Sequence, residues 1–161
     1  MTMSDRRSLI RNKINLKDYL KELSALVGYP VSGTELGDIE SGIDIRSRYR
    51  KYTGKPKRVS DTLFLALKTP RFAAFVDDLR QANPSPVYIV TAGTMDCGTF
   101  LVPSLGAIKW DFDFWINSAG ILVFLSSDLE DSLLLDFSIS DASEHILKIE
   151  TQGDHWGRIA Y

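Results

Sequence analysis

The chain has a single cysteine, Cys97, among 161 residues. That excludes an intrachain disulfide and leaves a cysteine-based zinc site without its ligands, and a reducing cytoplasm is the expected compartment. Long apolar runs are missing as well. Nothing approaches the ~20 apolar residues of a membrane span, and no run of signal-peptide length follows the charged start MTMSDRRSLIRNK. The protein is expected to stay where it is made, with no membrane partner. Histidine is scarce: His145 and His155 are the only two, and neither stands in an HExxH spacing. There is no GxSxG elbow and no GxGxxG or GxxxxGK[ST] loop, so the glycines of TAGTMDCG and SGTELGDIESG read as turn residues. Cys97 has no neighbour that would activate its thiolate. No catalytic residue, metal or cofactor is assigned.

Basic residues are rare in one part of the chain only. Residues 1–100 carry 16 Lys and Arg against 11 Asp and Glu, whereas residues 101–161 carry 3 against 10, giving +5 and −7. A one-signed surface steers association, and the acidic part suits a basic partner.

What is present is a globular composition. A hydrophobic fraction of 44% with 25% charged residues excludes a wholly disordered chain. The length fits one domain, 1–161, mainly helical over 1–86 and mainly strand over 87–161. From Asn15, the segment NLKDYLKELSALVG places Leu16, Tyr19, Leu20, Leu23 and Val27 on one helix face, with Asn15 as cap and Gly28 closing the end before Pro30. Short helices are predicted within TELGDIES and DIRSRYRKY. Another is predicted in SDTLFLALK with Ser60 as N-cap, and another in TPRFAAFVDDLRQA with Thr69 as N-cap and Pro70 at the first position. The prolines of NPSP then end the helical part.

From PVYIV onward the period changes to that of strands. Strands are predicted at 87–91, 99–102, 107–116, 121–126, 132–139 and 145–151, with a last one near 158–161. Short connectors make the later ones an antiparallel meander. The fold class is therefore α+β, with N-terminal short helices packed on a C-terminal, largely antiparallel β-sheet.

In IKWDFDFWI, Ile108, Trp110, Phe112, Phe114 and Ile116 form a core face, and Lys109, Asp111, Asp113 and Trp115 face outward. Paired aspartates could ligate a hard metal or act as acid and base, but further ligands or a matched partner are missing, and a solvated face explains them. A tryptophan among acids points to binding instead, because tryptophan is enriched at interface hot spots. The acidic turn SDLED adds Asp128, Glu130 and Asp131 to this candidate binding set. The turn TQGDHWG adds Asp154 and Trp156, although Trp156 reads first as a structural cap on the sheet edge.

Two other readings compete. The run RSRYRKYTGKPKR holds Arg46, Arg48, Arg50, Lys51, Lys55, Lys57 and Arg58 around Tyr49 and Tyr52, a composition that can hold phosphates and stack bases. A pI near 5.7 counts against a nucleic-acid partner, which stays the alternative. A small hydrolase would need Asp111, Asp113 and His155 near one another.

The closing region, LVFLSSDLEDSLLLDFS followed by LKIETQGDHWGRIAY, resembles the C-terminal strands of immunity proteins of bacterial contact-dependent growth inhibition systems. The shared pattern is an apolar strand, an acidic turn, a Leu-rich strand ending in Asp-Phe, a last strand and a Gly-x-x-Trp-Gly turn. It covers about the last third of the chain. The resemblance implies a non-enzymatic protein that binds and neutralises the C-terminal toxin domain of a cognate delivered protein. Many such toxins are nucleases, so a basic partner is expected. No interface residue is carried over, because this family diverges at its binding surfaces.

Overall fold

The computed structural model describes residues 2–49 and 54–161, with the backbone alone for residues 4–12, 14 and 49. Helix α1 runs over Met3–Val27. Tyr19, Leu23, Leu26 and Val27 are buried along one stripe, as a 3.6-residue period requires. Gly28, at φ +77°, ends it by donating its N–H to the Ser24 carbonyl at 2.9 Å. Asn15 is not the cap. The helix continues twelve residues before it, and Asn15 donates to Asp96 Oδ2 at 3.1 Å.

Helix α2 spans Ile39–Tyr49, and Asp38 Oδ1 accepts the Ser41 N–H at its start. Helix α3 spans Pro70–Ala82 as the sequence indicated: Thr69 Oγ1 accepts the Phe72 N–H at 3.3 Å, and Phe72, Phe75, Val76 and Leu79 face the core. Helix α4 is one turn, Thr94–Cys97. Among the described residues no helix is long and apolar enough to cross a membrane.

Six strands form one sheet: β1 (Lys57–Leu63), β2 (Val87–Val90), β3 (Phe100–Val102), β4 (Ile121–Ser126), β5 (Asp131–Ile139) and β6 (His145–Gly153). Their order is β1-β6-β5-β4-β2-β3, every pair antiparallel, with β4-β5-β6 as a meander. The fold is α+β. One sheet face carries Ile89, Phe124, Leu135, Phe137, Leu147 and Ile149, which join the buried faces of α1 and α3 in one core. The other face is thinly covered, with Ile45 of α2 packed on Val123 and Leu125.

Several predicted elements differ. In place of two short helices within TELGDIES and DIRSRYRKY there is the 3₁₀ turn Gly33–Glu35 and the single helix α2, and residues 50–52 lie outside the described residues. Residues 107–116 are not a strand, although burial alternates as expected: Ile108, Phe112 and Phe114 are buried while Lys109, Asp111, Asp113 and Trp115 are exposed. Both places beside β4 are taken by β2 and β5, so this segment crosses the sheet face instead, leaving the 3₁₀ turn Leu105–Ala107 and turning at 110–111 and 114–115. Phe112 and Phe114 meet Phe64 and Phe137 there, and Trp110 meets Phe72 and Phe124. The stretch SDTLFLALK is the end of β1 followed by a 3₁₀ turn, Phe64–Lys68, and Ser60 pairs in the ladder with Ile149. Residues 158–161 are not a strand: the 3₁₀ turn Trp156–Arg158 leads to Tyr161, which packs on Phe72 and Phe75.

Candidate functional site

The exposed acids and tryptophans of the sequence separate into two places. At one end, the segment after Phe112 is pinned by its own polar groups. Asp113 Oδ1 accepts the Trp115 N–H at 2.8 Å, and Ile116 N–H returns to the Asp113 carbonyl. Asn117 accepts the Gly120 N–H at 2.7 Å and donates to the Ile121 carbonyl and to Glu22 Oε1 at 2.9 Å. Trp115 is 66% exposed, yet its ring is held edge-on by Phe114 at 4.9 Å and His145 at 6.0 Å. Phe114 in turn stacks on His145 at 3.9 Å.

Trp115 stands beside an open groove of about 690 Å³ between α1, the α4 turn and residues 113–119. Four carboxylates line it, Asp18, Glu22, Asp96 and Asp113, against one cation, Lys21. Burial pushes the Glu22 carboxyl up to about 6, with hydrogen bonds from Asn117 and Thr91 opposing that shift. Behind the wall, Tyr19 ties α1 to α4, its hydroxyl donating to the Gly98 carbonyl at 3.0 Å and bonding Thr94. Burial raises this phenol to about 12. Gly93 permits the approach, since a Cβ there would lie 2.6 Å from the Tyr19 ring.

At the other end, Asp131 is fully buried and makes four hydrogen bonds: it accepts from the N–H groups of His155 (2.9 Å) and Trp156 (2.8 Å) and from Asn83 Nδ2 (2.7 Å), and it bonds His155 Nδ1 (2.8 Å). Trp156 is also fully buried, its indole donating to the Leu79 carbonyl at 2.9 Å. Neither residue offers a surface to a partner, which corrects their place in the binding set. They tie β5, the C-terminal turn and the end of α3 together. Partial burial would raise the Asp128 carboxyl, but donors from Ser126, Glu130 N–H, Asn83 and Ser85 outweigh it and hold the carboxyl below its usual range. Lys55 bridges Glu130 (3.1 Å) and Asp154 (3.0 Å), which keeps the ammonium proton-bound and lowers Asp154.

The two ends lie at opposite ends of β6. His145, beside Trp115, begins that strand, and His155 follows its last residue, a separation of about 25 Å at the rise of a strand. Asp113 and His155 therefore do not meet. Asp111 is exposed but lies outside the groove. Burial, then Asp96, raises the Cys97 thiol, the opposite of what activation requires. Among the described residues no group of three His, Cys, Asp or Glu is placed to hold a metal ion. No family model matches the chain, and no curated protein or solved structure matches it significantly.

The structure thus joins Asp113 and Trp115 to three acids that the sequence reading had not grouped with them. Asp18 and Glu22 were visible at i, i+4 on α1, along the flank of its buried stripe. Asp96 becomes a neighbour only through the packing of the α4 turn against α1.

Proposed function

We propose that the protein is an immunity protein that captures a basic toxin domain in the acidic groove, with Trp115 as the anchor. The observation that carries this reading is an indole two-thirds exposed, yet fixed by ring contacts and an Asx turn, on the rim of a groove with four carboxylates and one lysine. A rigid exposed indole loses little conformational entropy on binding, and a one-signed groove speeds encounter with a basic surface. The resemblance of the closing strands to contact-dependent growth inhibition immunity proteins supplies the identity of the partner: the C-terminal toxin domain of a delivered protein, met in the cytoplasm and blocked by association rather than by chemistry.

The basic segment supports nucleic-acid binding less well. Arg48 pairs with Asp44, Lys55 with Glu130 and Asp154, and Lys57 with Glu150, so three of its cations are already engaged. Arg50, Lys51 and Tyr52 lie outside the described residues.

The test is co-expression with the toxin domain encoded immediately upstream. Wild type is expected to co-purify with that domain and rescue growth, and a Trp115→Ala, Asp113→Asn chain is expected to do neither while remaining folded. Equal rescue by both chains would remove the groove from the reading.

A further inference from the structure

Strand β1 is an edge. It pairs with β6 along Lys57–Leu63 opposite Gln152–Ile146, and no strand among the described residues lies on its other side. The strand is seven residues long, has no proline and pairs without a bulge. Proteins usually blunt such an edge, because its unpaired N–H and C=O groups recruit other strands. Here the side chains on the thinly covered face run from positive through apolar to negative: Lys57, Val59 and Asp61, with Val59 51% exposed.

Asp61 also ends an unfinished row. Across the sheet Asp136 stands opposite Lys148, and Lys148 opposite Asp61, so one row of the open face reads acid, base, acid and then stops at the free edge. Lys148 and Asp136 approach to 3.9 Å, while Asp61 has no ion pair among the described residues. The next place in that row calls for a cation.

We propose that a second copy of this chain fills it, with β1 pairing antiparallel to its own twofold mate about Val59. In that register Val59 meets Val59 on the axis, and Lys57 of each copy, already paired with Glu150 of its own chain at 3.1 Å, stands opposite Asp61 of the other, so each end of the row closes on an ammonium shared by two carboxylates. Pro56, without an N–H, ends the ladder beyond Lys57. Other symmetric registers are poorer. Centring on Lys57, Arg58 or Asp61 sets like charges face to face, and centring on Ser60 puts Val59 against Asp61 and leaves Lys57 opposite Leu63. The charges that repel a foreign strand therefore select this one. No residue of β1 lines the groove.

Sedimentation equilibrium of the full chain tests the proposal. Wild type is expected to move from 18.1 kDa toward twice that mass as concentration rises. Lys57→Asp and Asp61→Lys are each expected to weaken self-association by roughly tenfold or more, since each sets like charges in both cross-strand places. Mixing the two variants is expected to restore association as a heterodimer, and the double variant K57D/D61K as a homodimer. Thermal unfolding checks that each variant folds. Amide exchange on wild type gives an independent reading, with β1 protection rising with protein concentration. A wild type that stays monomeric to about 1 mM overturns the proposal. So does a dimer whose affinity ignores both substitutions.

Discussion

His155 Nδ1 lies 2.8 Å from Oδ2 of the fully buried Asp131. The other three bonds to Asp131 come from groups that can only donate, the Asn83 amide and two backbone N–H groups. Asp131→Ala leaves both N–H groups without their partner and takes from the Asn83 amide its shortest bond, leaving it only the longer ones to Asp128, and is expected to cost about 3 kcal/mol or more of unfolding free energy. Urea denaturation followed by tryptophan fluorescence measures this. A loss below about 1 kcal/mol would show that the network is not holding the C-terminal turn.

Gly153 sits next to that network at φ +125°, where an added Cβ would collide with the Glu130 carbonyl and stand 2.7 Å from Asp131 Cα. Gly153→Ala combines a backbone conformation that L residues avoid with a contact that backbone atoms cannot relieve. It is expected to destabilise by about 2 kcal/mol or more. Thermal unfolding matching wild type would show that the turn has another arrangement available.

Glu22 gives the pH dependence. Its carboxyl is raised from 4.5 to about 6 by burial, so the folded state holds its proton more tightly than the unfolded state does. This stabilising contribution is fully present below the unfolded value and is lost as pH rises through about 6, at a cost near 2 kcal/mol by pH 8. Glu22→Gln keeps an acceptor for Asn117 without the charge. It is expected to be more stable than wild type at pH 8 by about 1–2 kcal/mol and level with it at pH 4. Parallel stability curves for the two proteins would contradict this.

Trp115 separates stability from binding. Its exposure and edge contacts imply that Trp115→Ala costs under about 1 kcal/mol of stability, while an anchor of this kind is worth tenfold or more in affinity, roughly 2 kcal/mol. Calorimetry on the folded variant with the toxin domain reads the second number, and unchanged affinity would exclude Trp115 as the anchor.

Where the sequence could be read, each signal was local. Thr69 and Pro70 started α3, Gly28 ended α1, and Ile121–Ser126 is β4 to the residue. Alternation in 107–116 identified the buried side chains but not a ladder, because a segment with turns at 110–111 and 114–115 can also send alternate side chains to core and solvent, and alternation says nothing of hydrogen-bond partners. Strand β1 was hidden for the converse reason. As an edge facing solvent on most of its length it carries little alternation, and the apolar FLALK after it imitates a helix. Asp131 read as surface because an acidic turn usually is one, whereas for Trp156 the reading as a structural cap holds and its place in the binding set does not. Only the tertiary packing of Asn83 and the 155–156 backbone around the carboxylate makes burial affordable. The groove needed α1, α4 and 113–119 together, three segments far apart in sequence.

The most direct measurement is the affinity of the full chain for the purified C-terminal domain of the delivered toxin proposed as its partner, taken by calorimetry at two salt concentrations for wild type and for an Asp96→Asn, Asp113→Asn, Trp115→Ala variant. Expected are tight, salt-weakened binding by wild type and at least a hundredfold loss, roughly 3 kcal/mol, in the variant at unchanged thermal stability. Equal affinity of the two chains, or no binding by wild type, would contradict capture of a basic toxin in the acidic groove.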